Sequence, residues 1–263
     1  MRNTATPSQP IATVGGWPIN LANLGDAVSH IIADAAQRQS FAVFTLNLDH
    51  LDKLRRCSPF SDAYLKARYV TADGAPVAML ASRQGVHVER TTGADLIVPL
   101  AQAAAANGLR VYLFGSTADV LERAGAELVK RAGGHLTIAG AASPEHFDPH
   151  NSAADDALDR IAASGAALCY LALGAPKQEL FAARGIERGI NVGFICIGAG
   201  LDFIAGTQRR APVFMQRSGL EWLWRLVTNP RRLGLRYARC ALVLAKLILL
   251  PSAAQTPAKR SDY

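Results

Sequence analysis

Short, continuously hydrophobic runs alternate with helical patterns between about residues 41 and 200, and this alternation constrains the fold more than any other feature. Runs that are apolar throughout are typical of strands buried on both faces, and intervening helices allow such strands to lie parallel. We therefore predict an α/β fold with a single Rossmann-like, mostly parallel sheet flanked by helices. The predicted strands are 41–46, 69–71, 110–115, 135–140, 167–173 and 191–198, and the predicted helices include 93–107, 117–132 and 153–163.

The positive charge of the chain is concentrated near its C-terminus. Residues 205–250 hold nine Lys and Arg against one acidic residue, Glu221, whereas the whole chain has a net charge of +7. Trp222, Trp224 and a long aliphatic stripe accompany this charge, a composition typical of helices that lie in a membrane interface rather than across it. The aliphatic stripe disfavours nucleic acid as a partner. An amphipathic helix packed on the rest of the protein is the alternative.

These features divide the chain into four predicted parts. Residues 1–10 lack an apolar signal core and predict a disordered leader. Residues 11–206 form the predicted α/β domain, residues 207–250 a basic, amphipathic helical appendage that associates with a membrane, and residues 251–263 a disordered tail. The four cysteines show neither a disulfide framework nor a zinc-binding spacing, which favours a reducing cytosol.

Polar residues, glycine and proline follow each predicted strand, and this is where a binding site is expected. In open parallel sheets, ligands bind at the carboxyl ends of the strands. Glycine there lets the backbone approach a bound ligand closely. The segments concerned are Thr45 to His50, Ala72 to Pro76, Gly115 to Thr117, Gly174 to Glu179, and Gly198 to Asp202.

Two charged residues stand out beside these strand ends. Asp73 is a candidate general base, because a carboxylate at a strand end in a cleft can accept a proton. Asp73-Gly74 is also a strong turn dipeptide, so a purely structural role remains open. Arg90 precedes a predicted helix whose first turn carries Asp95; it is either a surface charge or a diphosphate-binding group beside a helix N-terminus.

Several other kinds of site are disfavoured. Gly198-Ala-Gly-Leu-Asp-Phe203 begins like a dinucleotide-binding motif, but Phe203 occupies the position of its third glycine. There is no Walker A sequence and no Asp-x-Asp pair to hold a divalent cation. His146, Asp148 and His150 lie in a Pro-containing polar stretch that predicts an exposed loop. We therefore predict a metal-independent reaction without a cofactor.

Seven ordered motifs resemble those of the WecG/TagA/CpsF glycosyltransferases, from about residue 12 to residue 240. The motifs are Thr45-x-Asn47, Ala72-Asp-Gly74, Arg90-x-x-Gly-x-Asp95, Leu173-Gly-Ala-Pro-Lys-Gln-Glu179, Gly198-x-Gly-x-x-Asp-Phe-x-x-Gly206, Arg210-Ala-Pro212, and Glu221-Trp-Leu-Trp-Arg-Leu226 with Asn229-Pro-Arg-Arg232.

The resemblance implies a bacterial, inverting transferase that acts without a metal at the cytoplasmic face of the cell membrane, as a peripheral protein. It would move one sugar from a UDP-sugar to a saccharide carried on polyprenyl diphosphate. By the same likeness, Asp73 is the general base, with Thr45 and Asn47 beside the sugar. The UDP-sugar contacts would be Arg90, Gly115, Ser116, Gly174, Lys177, Gln178 and Glu179. The alternative for Glu179 is that it only interacts favourably with the helix dipole. The lipid diphosphate and membrane contacts would be Arg210, Arg225, Arg231, Arg232 and Arg236.

The first two motifs are similar to those of exopolysaccharide-type members that resemble the β-1,4-glucosyltransferase of xanthan-type assembly. This implies transfer of glucose from UDP-glucose to a glucosyl diphosphate lipid. Transfer of N-acetylmannosamine or its uronic acid to the N-acetylglucosaminyl diphosphate lipid is the alternative. A non-catalytic, membrane-associated nucleotide-binding subunit is a more remote one. The sequence leaves open whether the chain forms a homo-oligomer.

Overall fold

A computed structural model of the chain describes residues 8–228 and 230–249, apart from the side chains of Arg217, Arg225 and Arg232. The predicted tail, 251–263, and residues 1–7 of the predicted leader lie outside this part. The strands are β1 (Ala12–Val14), β2 (Trp17–Ile19), β3 (Phe41–Leu46), β4 (Tyr69–Ala72), β5 (Arg110–Gly115), β6 (Thr137–Ala142), β7 (Leu168–Ala172) and β8 (Gly193–Cys196). The helices are α1 (Leu24–Ala36), α2 (Leu48–Leu54), α3 (Ser58–Tyr64), α4 (Ala75–Ser82), α5 (Gly93–Ala106), α6 (Ala118–Arg131), α7 (Ser152–Ala163), α8 (Lys177–Glu187), α9 (Gly200–Ile204), α10 (Val213–Arg217), α11 (Glu221–Thr228) and α12 (Pro230–Leu249).

Six strands form one parallel sheet in the order β4-β3-β8-β7-β5-β6. β1 and β2 form a separate antiparallel hairpin. The predicted α/β class is therefore confirmed, and two predicted strands, 41–46 and 110–115, have the predicted bounds. β6 begins two residues later than predicted; it is an edge strand of small, partly exposed residues, where an apolar run is a weak guide to the bounds.

The sheet separates two hydrophobic cores. Side chains of successive strand residues point to opposite faces, so Tyr112 and Phe114 enter one core while Val111 and Leu113 enter the other. The first core is covered by α2, α3, α4, α7, α8 and α12, and the second by α1, α5, α6 and α9. Because both faces are covered, the inner strands consist almost entirely of apolar residues.

The C-terminal helices pack on the α/β body through one face only. Cys240, Val243 and Leu247 of α12 are buried, and the last two belong to the same core as the sheet. Leu247 also lies beside Gly15 in the turn between β1 and β2. The opposite faces are apolar and exposed. Among the described residues, three exposed large hydrophobic side chains lie outside this segment, and the others lie within it: Val213, Phe214, Leu220, Trp222, Leu223, Val227, Leu235, Leu242, Ile248 and Leu249. Within the described residues, no helix is both long and apolar enough to cross a membrane.

Candidate active site

Asp73 lies at the carboxyl end of β4, next to the end of β3. Its backbone N–H donates to the Leu46 carbonyl at 2.8 Å, which continues the pairing of the two strands beyond Ala72. Thr45 Oγ1 and Asn47 Nδ2 both donate to Asp73 Oδ2, at 3.4 and 3.2 Å. The structure therefore brings the three predicted catalytic residues together.

Asn47 has a second task that fixes its orientation. It is the N-cap residue of α2, and its Oδ1 accepts from the His50 backbone N–H at 2.9 Å. Asn is a preferred residue at this position because its side-chain oxygen satisfies an N–H that the helix leaves unpaired. With Oδ1 used in this way, Nδ2 points to Asp73, and the position of the Asp73 carboxylate depends on where α2 begins.

Gly115 and Ser116 form a tight turn at the end of β5. Gly115 has a φ of +98°, and a Cβ there would lie 2.6 Å from the Ala172 carbonyl oxygen, so only glycine fits. Ser116 N donates to this same carbonyl at 3.0 Å. Its side chain hydrogen-bonds Asp202; burial raises the pKa of Asp202, an effect that this hydrogen bond partly offsets.

Gln178 connects the ends of β7 and β8. After Gly174 and a cis Ala175–Pro176 bond, α8 begins. The Gln178 side chain is buried; its Oε1 accepts from Gly198 N at 3.0 Å and its Nε2 donates to Glu179 Oε1 at 2.8 Å. Lys177 Nζ donates to the Phe147 carbonyl at 2.8 Å. Both side chains therefore have protein partners at the strand ends.

Glu179 was predicted to contact the UDP-sugar, but its side chain is directed into the protein. Its exposure is 0%, because α2 and α3 cover this end of α8, and its carboxyl points into the protein. Oε1 lies 3.9 Å from His50 Nε2, while Oε2 has no hydrogen-bond partner among the described residues. Burial raises the pKa of Glu179 to about 7 and lowers that of His50 to about 3. His50 Nδ1 is 2.6 Å from the hydroxyl of Tyr64, so a buried polar cluster lies on this side of α2.

Arg90 and Arg210 share two carboxylates. Arg90 Nη1 lies 3.4 Å from Asp95 Oδ2 and 3.7 Å from Glu221 Oε2. Arg210 lies 2.7 Å from Asp95 and 3.6 Å from Glu221. Burial raises the pKa of Asp95, but Arg210 and the hydrogen bond from the Thr92 backbone outweigh it and lower the pKa overall. This ion cluster ties the C-terminal segment to the N-terminus of α5, which is closed by a Thr92–Asp95 capping box.

The C-terminal segment also reaches the start of α4. A Cβ on Gly219, between α10 and α11, would lie 2.7 Å from the Cβ of Ala75, so the two backbones are in close contact. Ala75 follows Asp73-Gly74 directly, and this contact places the segment beside the candidate base.

The remaining predicted arginines differ in their surroundings. Arg231 is exposed at the start of α12, whereas Arg236 Nη2 lies 3.2 Å from Asp49 Oδ2 in α2. The predicted roles of Arg225 and Arg232 fall on side chains outside the described part of the structure.

No group of three His, Cys, Asp or Glu side chains that could hold a metal ion occurs among the residues that the structure describes. His146, Asp148 and His150 are exposed in a loop, as predicted.

The fold and the site together define an α/β protein with polar side chains gathered at the carboxyl edge of a parallel sheet, where such folds bind their ligands. The class can be named from a comparison of the chain with known families: residues 12–257 match the glycosyl transferase WecG/TagA/CpsF family. The match covers most of the chain, and the protein belongs to this family, as its motifs predicted. Its class is thus glycosyl transferase, in a family that suggests a place in the synthesis of cell-surface polysaccharides.

Four residues of the site were not assigned a function from sequence: Asp95, Glu221, Asp49 and His50. Asp95 and Asp49 have local partners as well, in Thr92 and Lys53, but the contacts that join all four residues to the rest of the site come from distant parts of the chain, so local patterns give no signal for them. The N-cap at Asn47 could have been predicted from sequence. Asn is common at the start of helices, where its side chain accepts from the backbone N–H three residues later.

Proposed function

We propose that the protein is an inverting glycosyltransferase that moves a hexose from a UDP-sugar onto a saccharide carried on polyprenyl diphosphate. The donor we favour is UDP-glucose, in exopolysaccharide or other cell-surface polysaccharide biosynthesis. Transfer of N-acetylmannosamine or its uronic acid to the N-acetylglucosaminyl diphosphate lipid is the alternative. The observation that carries the proposal is the convergence of Thr45 and Asn47 on the carboxylate of Asp73.

Asp73 is the general base in this reaction. As the acceptor hydroxyl attacks the anomeric carbon, Asp73 takes the hydroxyl proton, and the bond from that carbon to UDP breaks on the opposite face. UDP leaves with the bonding electron pair, so the configuration at the carbon inverts. The hydrogen bonds from Thr45 and Asn47 to Oδ2 hold the carboxylate in one orientation. A positioned base of this kind contributes roughly 10²- to 10⁴-fold to the rate.

The charge that develops on UDP needs cationic groups nearby. Arg90 and Arg210 lie side by side at the N-terminus of α5, both within 4 Å of Asp95. Two guanidinium groups beside a helix N-terminus are suited to a diphosphate, because they can donate several parallel hydrogen bonds. In this proposal Arg90 contacts the UDP diphosphate and Arg210 the lipid diphosphate, each exchanging part of its pairing with Asp95 and Glu221 for the ligand. Ser116, Gly174 and Lys177 line the strand ends around the donor, and the buried Gln178 holds the Gly198 backbone in place beside them.

The C-terminal segment, residues 207–250, is proposed to hold the protein on the cytoplasmic face of the membrane, with residues 11–206 as the catalytic domain. Leu235, Leu242 and Leu249 are exposed and are spaced by seven residues, so they lie within about 40° of one another on α12. With the exposed Arg231, this stripe has the composition of a helix that lies in the interface. Each cation close to an anionic surface contributes about 1 kcal/mol.

The proposal is tested with a panel of UDP-sugars and synthetic glucosyl and N-acetylglucosaminyl diphosphate lipids. We expect transfer with one pair, and Asp73→Asn should retain UDP-sugar binding while kcat falls by about 10² or more. Asp26→Asn, an exposed carboxylate in α1, is the matched control and should keep full activity. Near-normal turnover by Asp73→Asn would remove Asp73 from its role. Vesicle binding without transfer from any donor would favour the non-catalytic subunit instead.

A further inference from the structure

The short helix α2 connects the candidate base to the C-terminal helix. At its N-terminus, Asn47 caps the helix and donates to Asp73. One turn on, Asp49 faces α12 and His50 faces the buried Tyr64 and Glu179. A helix of only seven residues has little rigidity of its own, so its position is set by these contacts together with its buried Leu51 and Leu54.

The contact with α12 is an ion pair between a buried carboxylate and a partly exposed guanidinium group. Asp49 is 9% exposed, its Oδ2 lies 3.2 Å from Arg236 Nη2, and Lys53 Nζ binds the same oxygen. Burial raises the pKa of Asp49, but Arg236 and then Lys53 outweigh it, so the carboxylate remains charged. Below the pair, Cys240 is buried at the same interface. Arg236 therefore pairs with a buried carboxylate of the protein, although its own side chain remains 40% exposed.

We propose that Arg236 is a positioning residue for the transfer reaction: by pairing with Asp49 it holds α12 against α2, and α2 thereby holds Asn47 on Asp73. This inference rests on the proposed function and assigns Arg236 a task different from binding the lipid diphosphate. The Asn47–Asp73 hydrogen bond is already 3.2 Å long, so a shift of α2 by a few tenths of an ångström takes it beyond normal hydrogen-bond range. Misplacement of a catalytic group by about 1 Å can cost about 100-fold in rate.

Arg239 provides a matched control on the same helix. It is exposed, one turn from Arg236, and carries the same charge. If Arg236 acted only by attracting anionic lipid or the lipid diphosphate from a distance, replacing either arginine by glutamine would have the same effect. If Arg236 positions α2, only its replacement slows the reaction.

The experiment measures transfer by the full-length chain with the UDP-sugar and lipid acceptor found in the panel, on anionic vesicles. For Arg236→Gln and for Asp49→Asn we expect kcat to fall about 10-fold or more, with the KM for the UDP-sugar within about twofold of the wild type. The double variant should be no slower than the slower single variant, because both remove one interaction. Arg236→Lys should restore part of kcat, and Arg239→Gln should keep it.

A second readout does not depend on activity. Cys240 lies under the α12 interface, and burial raises the pKa of its thiol to about 11, so it should react slowly with a thiol reagent. In a Cys57→Ser background, which removes the most accessible of the other cysteines, Arg236→Gln should speed the labelling of Cys240 and Arg239→Gln should not.

Equal loss of kcat in the Arg236 and Arg239 variants, additive loss in the double variant, or unchanged Cys240 labelling in Arg236→Gln would each overturn the inference. Failure of the proposed function has a different signature, because the wild type would then transfer no sugar in the panel. The labelling comparison would still decide whether Arg236 holds α12 against α2.

Discussion

Replacement of Glu179 by glutamine tests the buried polar cluster beside α2. Glutamine has nearly the same shape and can still accept from Gln178, but it cannot ionise. Glu179 is completely buried and burial raises its pKa to about 7, against an ordinary value of 4.5. At 1.36 kcal/mol per pH unit, this difference corresponds to about 3 kcal/mol.

The direction of the pKa shift decides at which pH Glu179 destabilises the folded state. Because the folded state holds the Glu179 proton more tightly than the unfolded state, the carboxyl costs nothing below about pH 4.5, where both states are protonated. Between about pH 4.5 and pH 7 the unfolded state loses its proton first, and the folded state is progressively destabilised. Above about pH 7 the full penalty, about 3 kcal/mol, is present.

The assay is denaturant unfolding of the wild type and of Glu179→Gln between pH 4.5 and pH 8. The free energy of unfolding of the variant, relative to the wild type, should increase by about 3 kcal/mol across this range. Glu122→Gln is the control, because it makes the same substitution at a carboxylate that is exposed on α6.

His50 changes stability with pH in the opposite direction from Glu179. Burial lowers the pKa of His50 to about 3, so the free energy of unfolding falls as pH falls below 6.5, the ordinary pKa of histidine. That contribution is common to the wild type and to Glu179→Gln, so it cancels in the difference. A difference between these two proteins that stays constant with pH would show that Glu179 ionises normally, and would refute the reasoning from burial.

Two further predictions concern a turn and a surface. Gly115→Ala should reduce the free energy of unfolding by on the order of 3 kcal/mol, because the added Cβ would clash with the Ala172 carbonyl and the φ of +98° is strained for alanine. A reduction below about 1 kcal/mol in denaturant unfolding would contradict the close approach of β5 and β7. Leu235→Ser with Leu242→Ser should weaken binding to anionic vesicles by 10-fold or more in sedimentation assays, since each exposed leucine is worth roughly 1.5–3 kcal/mol when buried in lipid. Leu65→Ser is the control, because Leu65 is also exposed but lies on the α/β body; equal weakening by both changes would refute the assignment of the surface.

Point variants test the C-terminal segment more sharply than its removal. Val243 and Leu247 of α12 belong to the core of the α/β body. Deletion of residues 207–263 would therefore expose apolar surface, and any loss of activity or membrane binding would be mixed with loss of stability.

The main features of the fold could be predicted from the sequence because each depends on local pattern. β3 and β5 are apolar except for Thr45 and the exposed Arg110, because helices cover both faces of the sheet. Asp73 and Asn47 could be expected to meet, because they follow strands whose carboxyl ends lie at one edge. The family, too, follows from short motifs in a fixed order.

The partners of the charged residues could not be predicted. A Lys-Gln-Glu sequence at the start of a helix is typical of a solvated turn, yet Glu179 is buried because α2 and α3, from an earlier part of the chain, cover it. Arg210 and Arg236 were expected to face a lipid diphosphate, and each has a carboxylate partner, Asp95 and Asp49. These pairings depend on how the C-terminal segment packs on the α/β body, and no local sequence pattern predicts that packing.

The contact between Leu247 and the Gly15 turn joins nearly the last described residues to nearly the first. Synthesis on the ribosome proceeds from the N-terminus, so the β1–β2 hairpin and α2 are made long before the helix that covers them. Their apolar surface stays uncovered until α12 has emerged, so the first strands and α2 complete their packing only after this late segment of the chain is made.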